Sequence, residues 1–121
     1  MSQPTDESAV VTLVDRVLTR AVADGASDVH VEPRKDRVRV RFRIDGLLVD
    51  RPPVPLSFAS AVTSRLKIMA RLDIAERRLP QDGALRLLVG EKEVDLRLST
   101  FPTDFGEKVV VRILSRSEVS L

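Results

Sequence analysis

Cysteine is absent from this chain of 121 residues, and so are tryptophan and tyrosine. Without cysteine there is no disulfide, no thiol nucleophile and no cysteine-ligated zinc or iron–sulfur centre. The absence fits a reducing compartment. The aromatics are four Phe, too few for the ring platforms on which single-stranded nucleic acids stack. The single histidine, His30, has no second His and no Cys with which to share a metal. Apolar runs stay far short of the ~18 residues that span a bilayer. Met1 to Ser8 is polar and carries Asp6 and Glu7, so no signal peptide is expected at this start. The net charge of +2 excludes a histone-like polycation. No G-x-x-x-x-G-K-[ST] segment occurs, so the usual glycine-rich cradle for a triphosphate is missing.

What the chain does have is an ordinary apolar content and an unusual cation. Hydrophobic residues make up 43% and charged residues 31%, the balance of a single soluble globular domain. Of 20 cationic side chains, 16 are Arg. A guanidinium is a rigid donor fork that matches phosphate and carboxylate, whereas Lys is a mobile point charge. A GC-rich coding sequence explains the excess equally well.

Hydrophobic spacing predicts a helix over 7–24, with Val10, Val14, Val17, Leu18 and Ala21 on one stripe and Gly25 as its left-handed cap. Val29 and Val31 alternate with polar residues up to Pro33. In the next strand Val38, Val40, Phe42 and Ile44 face one way, and Arg37, Arg39, Arg41 and Arg43 the other. Asp45-Gly46 is a hairpin turn and Leu47 to Arg51 the returning strand. Pro52, Pro53 and Pro55 are expected to forbid regular structure. A second helix is predicted over 57–70, an irregular helical turn over 72–79, and a turn at Pro80-Gln81-Asp82-Gly83. Three strands follow, marked by Leu85-Leu87-Val89, Val94-Leu96-Leu98 and Val109-Val111-Ile113, with residues 101–106 as the last loop. Their short connections imply an antiparallel meander. The expectation is an α+β domain, with about six strands covered by helices on the apolar face.

Catalytic inventory is thin. Asp104-Phe105-Gly106 spells a kinase metal motif without the rest of a kinase, and reads as a hairpin loop. Ser27, Asp28 and His30 lie too close along one strand to form a hydrolytic triad. His30 reads as a surface strand residue. Asp73, Glu76 and Asp82 sit where capping is the ordinary task of a carboxylate. The remaining feature is the polar sheet face. It gathers Arg37, Arg39, Arg41, Arg43, Arg86, Arg97 and Arg112, and could receive phosphates through bidentate hydrogen bonds. The plainer reading is a wetted face with ion pairs to Asp28, Glu32 and Asp95.

Particular strings narrow this. Ala26-Ser27-Asp28-Val29-His30-Val31-Glu32-Pro33 resembles the A-S-D-[IV]-H-[IV]-E-P signature of the secretion ATPase superfamily, which drives type II secretion and type IV pilus assembly. Five further strings match in the family's order. They are Arg41 to Gly46, Arg65 to Glu76, Arg78 to Gly83, Asp95 to Thr100 and Gly106 to Leu114. The resemblance covers Leu13 to Leu114.

It implies a PAS-like, six-stranded antiparallel domain that precedes a RecA-like ATPase core, in a protein that assembles as a homohexamer. Residues 1–8 would be a polar tail, 9–115 the domain, and 116–121 the start of a linker to the core. ATP and Mg would be bound by the core, and no cofactor by this chain alone, which by itself would not be an enzyme. By motif match, Arg97 and Arg112 would reach the nucleotide's terminal phosphate. Arg43 would serve the interface between subunits. Implied partners are the chain's own core, neighbouring subunits and the inner-membrane platform, with no nucleic acid. Implied location is the cytoplasm, peripheral to the inner membrane. One departure is Ala84, where the family usually carries Arg or a similar polar residue after Gln-Asp-Gly. A second is the absence of Walker A and the metal-binding acidic segments. Two other readings of the same face stand beside this one. One is a stand-alone module that binds an acidic protein partner. The other, a nucleic-acid binder, is disfavoured by low net charge and missing aromatics.

Overall fold

A computed structural model describes residues 7–118, with side chains described up to Leu114. Helix α1 (Glu7–Ala23) buries Val10, Val14, Leu18, Ala21 and Val22. It stops at Gly25, whose φ of 73° only glycine adopts freely. Gly25 N donates to Val22 O and Ala26 N to Ala21 O, the paired bonds of a Schellman cap.

Three strands follow: β1 (Asp28–Pro33), β2 (Arg37–Ile44) and β3 (Leu47–Pro55). Asp45 and Gly46, with φ of 51° and 82°, make the primed two-residue turn that suits the twist of a hairpin. A 3-10 turn (Leu56–Phe58) leads into α2 (Ala59–Met69). The meander β4 (Gln81–Val89), β5 (Lys92–Thr103) and β6 (Gly106–Glu118) ends the described chain. All six strands form one sheet in the order β3-β2-β1-β6-β5-β4, antiparallel throughout. Both helices pack on one face, where Val14, Leu18, Val62 and Leu66 meet Val31, Val40, Val54 and Val111. The α+β expectation and the strand count hold.

Five local expectations do not. Residues 101–103 and 106, expected in the last loop, are strand, and only Asp104 and Phe105 form the turn. Pro52, Pro53 and Pro55 lie within β3 instead of ending it. A proline costs a sheet one ladder hydrogen bond, and β3 is an edge strand whose outer side needs none. Gln81 to Gly83 is already strand, paired to Thr100, Ser99 and Leu98. Gly83 is required there, because a Cβ would come within 2.7 Å of Ala70 O and 2.8 Å of Leu72 Cδ2. Residues 72–79 form no helix. Side chains organise them: Asp73 accepts from Ala75 N, Glu76 from Arg78 N and Leu79 N, and Gln81 exchanges two bonds with the Asp73 backbone. Finally, β6 continues through residues 116–118, with Glu118 paired to Lys92, where a linker was expected. Residues 119–121 of that linker, and 1–6 of the polar tail, lie outside the described residues; Glu7 and Ser8 open α1.

Candidate functional site

The outer face of the sheet carries one row of residues in register across all six strands: Ala84, Arg97, Arg112, Asp28, Arg43 and Leu48. Period-two alternation puts Arg97, Arg112 and Arg43 there, since each lies between residues turned toward the core. The three arginines singled out from the sequence are therefore brought together, around a single carboxylate.

Asp28 is that carboxylate, and its side chain is only 8% exposed. Its Oδ1 accepts from Arg112 Nε at 3.1 Å and its Oδ2 from Ser27 Oγ at 2.8 Å. Arg43 Nε lies 3.7 Å from Oδ2. Burial pushes the Asp28 carboxyl up. The bonds from Ser27 and Arg112, with the charges of Arg112 and His30, outweigh that push and hold it below the usual carboxylate value.

The arginines of the row differ in what they have left to offer. Arg43 donates from Nη1 to Gly46 O at 2.8 Å, so its fork is committed to the β2–β3 turn. Arg112 is held only through Nε, and its side chain is 68% exposed. The Arg97 side chain is exposed and has no hydrogen bond or ion pair among the described residues. Its neighbours in the row are the methyl of Ala84 and a like charge, Arg112. With Ala at position 84, no second arginine crowds Arg97 from the β4 side.

Elsewhere the face follows the plainer reading. Arg39 makes a two-point pair with Asp50, at 2.9 and 3.2 Å. Arg41 lies 3.7 Å from Glu32, Arg86 pairs with Asp95 at 2.9 Å, and Arg37 with Asp36 at 3.0 Å. His30 is half-buried in the next row, opposite Arg41. Burial lowers its pKa, and the charges of Lys108, Arg41 and Arg43 lower it further against the pull of Asp28. An imidazole set among these cations suits a basic surface. Among the described residues no three acidic or histidine side chains gather to hold a metal ion. The row offers guanidinium donors around a single carboxylate, which does not make a site for Mg. No described helix is long and apolar enough to cross a membrane.

Sequence reasoning passed over Lys67. Its side chain is 1% exposed, and Nζ donates to Glu107 at 2.8 Å and to Glu76 O at 2.5 Å. The pair ties α2 to the β5–β6 hairpin and to the loop before β4. Nothing in the local pattern marks this lysine as buried, because its partner lies forty residues away.

These features define an α+β domain with an arginine-lined outer sheet face. The chain belongs to the family of type II/IV secretion system proteins, whose sequence profile matches residues 3–121. It is 51% identical over 122 residues to the type IV pilus assembly ATPase PilB of Myxococcus xanthus, covering 100% of this chain and 22% of that protein. It is 53% identical over 113 residues to the type II secretion system protein E of Xanthomonas campestris pv. campestris, covering 93% of this chain and 20% of that protein. PilB of Thermus thermophilus is 50% identical over 112 residues, 93% of this chain and 13% of the relative. The chain thus spans about a fifth of the length of the first relatives it matches.

Proposed function

We propose that this chain is the PAS-like accessory domain of a hexameric secretion or pilus-assembly ATPase, and that Arg97 and Arg112 supply positive charge to the terminal phosphate of a nucleotide. The nucleotide and its Mg are held by a P-loop core outside these residues. The observation that carries the reading is the row itself: Arg97 and Arg112 lie side by side, one without a side-chain partner among the described residues and the other held by Nε alone.

Phosphoryl transfer gains chiefly from charge placed where negative charge spreads in the transition state. Arginines delivered from a separate domain make turnover conditional on that domain's position. When the domain swings away the charge leaves, and nucleotide state becomes coupled to geometry. Hexamer assembly, with Arg43 near a subunit boundary, and docking to an inner-membrane platform on the cytoplasmic side complete the proposal. The relatives' names, which include pilus assembly ATPases and type II secretion proteins, support this context.

The test is Arg97→Ala in the complete protein. ATP turnover is expected to fall by about 10³-fold or more while folding survives. Unchanged turnover removes the role given to Arg97.

A further inference from the structure

Asp28 is buried while the arginine it holds is mostly in solvent. That asymmetry suits a support more than a ligand. The bond to Arg112 is made through Nε, the guanidinium nitrogen nearest the stem, and the terminal nitrogens Nη1 and Nη2 bond to none of the described residues. A guanidinium is planar, with its donors in fixed directions. A carboxylate fastened to Nε therefore sets the plane of the whole fork and leaves the terminal donors free.

The register adds a direction. Arg112 stands on β6, between Arg97 on β5 and Asp28 on β1. Repulsion from Arg97 alone would let Arg112 swing anywhere away from it. Asp28 draws it toward β1, one defined way. Ser27 Oγ, bonded to Oδ2 at 2.8 Å, keeps the carboxylate itself from turning.

We infer that Asp28 is the positioning residue of this site: fixed by Ser27, it grips Arg112 by Nε and aims the terminal nitrogens of Arg112 at a phosphate oxygen arriving above the sheet. The inference rests on the role proposed above for Arg112. Asp28 does not touch the phosphate; it decides where Arg112 does. Arg43 has no such part, because its Nη1 is spent on Gly46 O.

Steady-state ATP hydrolysis by the complete protein tests this, with Mg·ATP as the probe. The variants are Ser27→Ala, Asp28→Asn, Arg112→Ala and the pairs Ser27→Ala/Arg112→Ala and Asp28→Asn/Arg112→Ala. Asp28→Asn keeps the shape and removes the charge. It is expected to lower kcat on the order of 10- to 100-fold, as misplaced catalytic groups do. KM should move by less than about threefold, because the loss falls on the transition state. In the Arg112→Ala background, Asp28→Asn should cost nothing further, since the residues act as a unit. Ser27→Ala leaves both charges in place and keeps the test alive if Asp28→Asn does not fold. It should give a smaller loss in wild type and none with Arg112→Ala. If either substitution slows the Arg112→Ala protein by the same factor as wild type, Asp28 acts through the fold and the inference is overturned. Wild-type turnover in Arg112→Ala instead overturns the role of Arg112, and this inference with it.

Discussion

Arg97 and Arg112 face each other across β5 and β6, two like charges in one register pair. Such a pair opposes folding, since like charges directly opposite on a sheet repel. The sheet relieves it on one side only: Asp28 engages Arg112, and Arg97 keeps no partner among the described residues. An arrangement that works against its own stability at one point is the pattern expected where a charge is kept for another molecule.

Arg97→Ala should accordingly leave the melting temperature unchanged or raise it, while the proposed turnover collapses. Thermal denaturation of this chain checks the first half. A clear drop in melting temperature would show that Arg97 holds the fold together, as a scaffold residue would.

Asp28 should shape the acid limb of stability. Its folded pKa lies below the ordinary value, so the native state gives up this proton more readily than the unfolded chain. The stabilisation is fully present above the unfolded pKa of about 3.9. It is lost as pH falls through the lower, folded value. Denaturation midpoints between pH 2 and pH 5 should therefore fall more steeply for wild type than for Asp28→Asn. Parallel curves would contradict the assignment.

Lys67 and Glu107 make a buried pair, with side chains 1% and 8% exposed. Lys67→Ala leaves the Glu107 carboxylate buried alone and should cost about 3–5 kcal/mol in urea denaturation. Replacing both, as Lys67→Met with Glu107→Leu, should recover most of that loss. A double variant as unstable as the single one would refute the pairing as the cause.

Gly83→Ala should destabilise by roughly 1–3 kcal/mol, the usual cost of overpacking. The new methyl meets a backbone oxygen, Ala70 O, which cannot rotate aside as a side-chain tip could. A neutral effect would mean that β4 and the end of α2 separate freely.

Much of this fold was legible in the sequence because its signals are local. The alternation in Arg37 to Ile44 fixes which side of β2 is wet, and Asp45-Gly46 dictates a tight hairpin. Gly25 likewise marks the end of α1. The misread segments depend on distant neighbours. Three prolines look prohibitive until β3 proves to be an edge. Gln81 to Gly83 looks like a turn until Ala70 and Leu72 are found packed against it. At the site, the resemblance set Arg97 and Arg112 apart from Arg43, but no local pattern showed what each side chain holds. Their difference lies in what each already holds: Gly46 O and Asp28 for Arg43, Asp28 alone for Arg112, and none of the described residues for Arg97.

The pairing of β1 with β6 sets the order in which this surface comes into being. The β1–β2–β3 and β4–β5–β6 halves are built from neighbouring hairpins, which zip quickly. Asp28 and Arg112 are 84 residues apart, and their bond spans the seam between those halves. Closing so long a loop must await the rest of the chain. During synthesis, Asp28 emerges long before the arginine it is to hold. A half-made domain therefore cannot present the row.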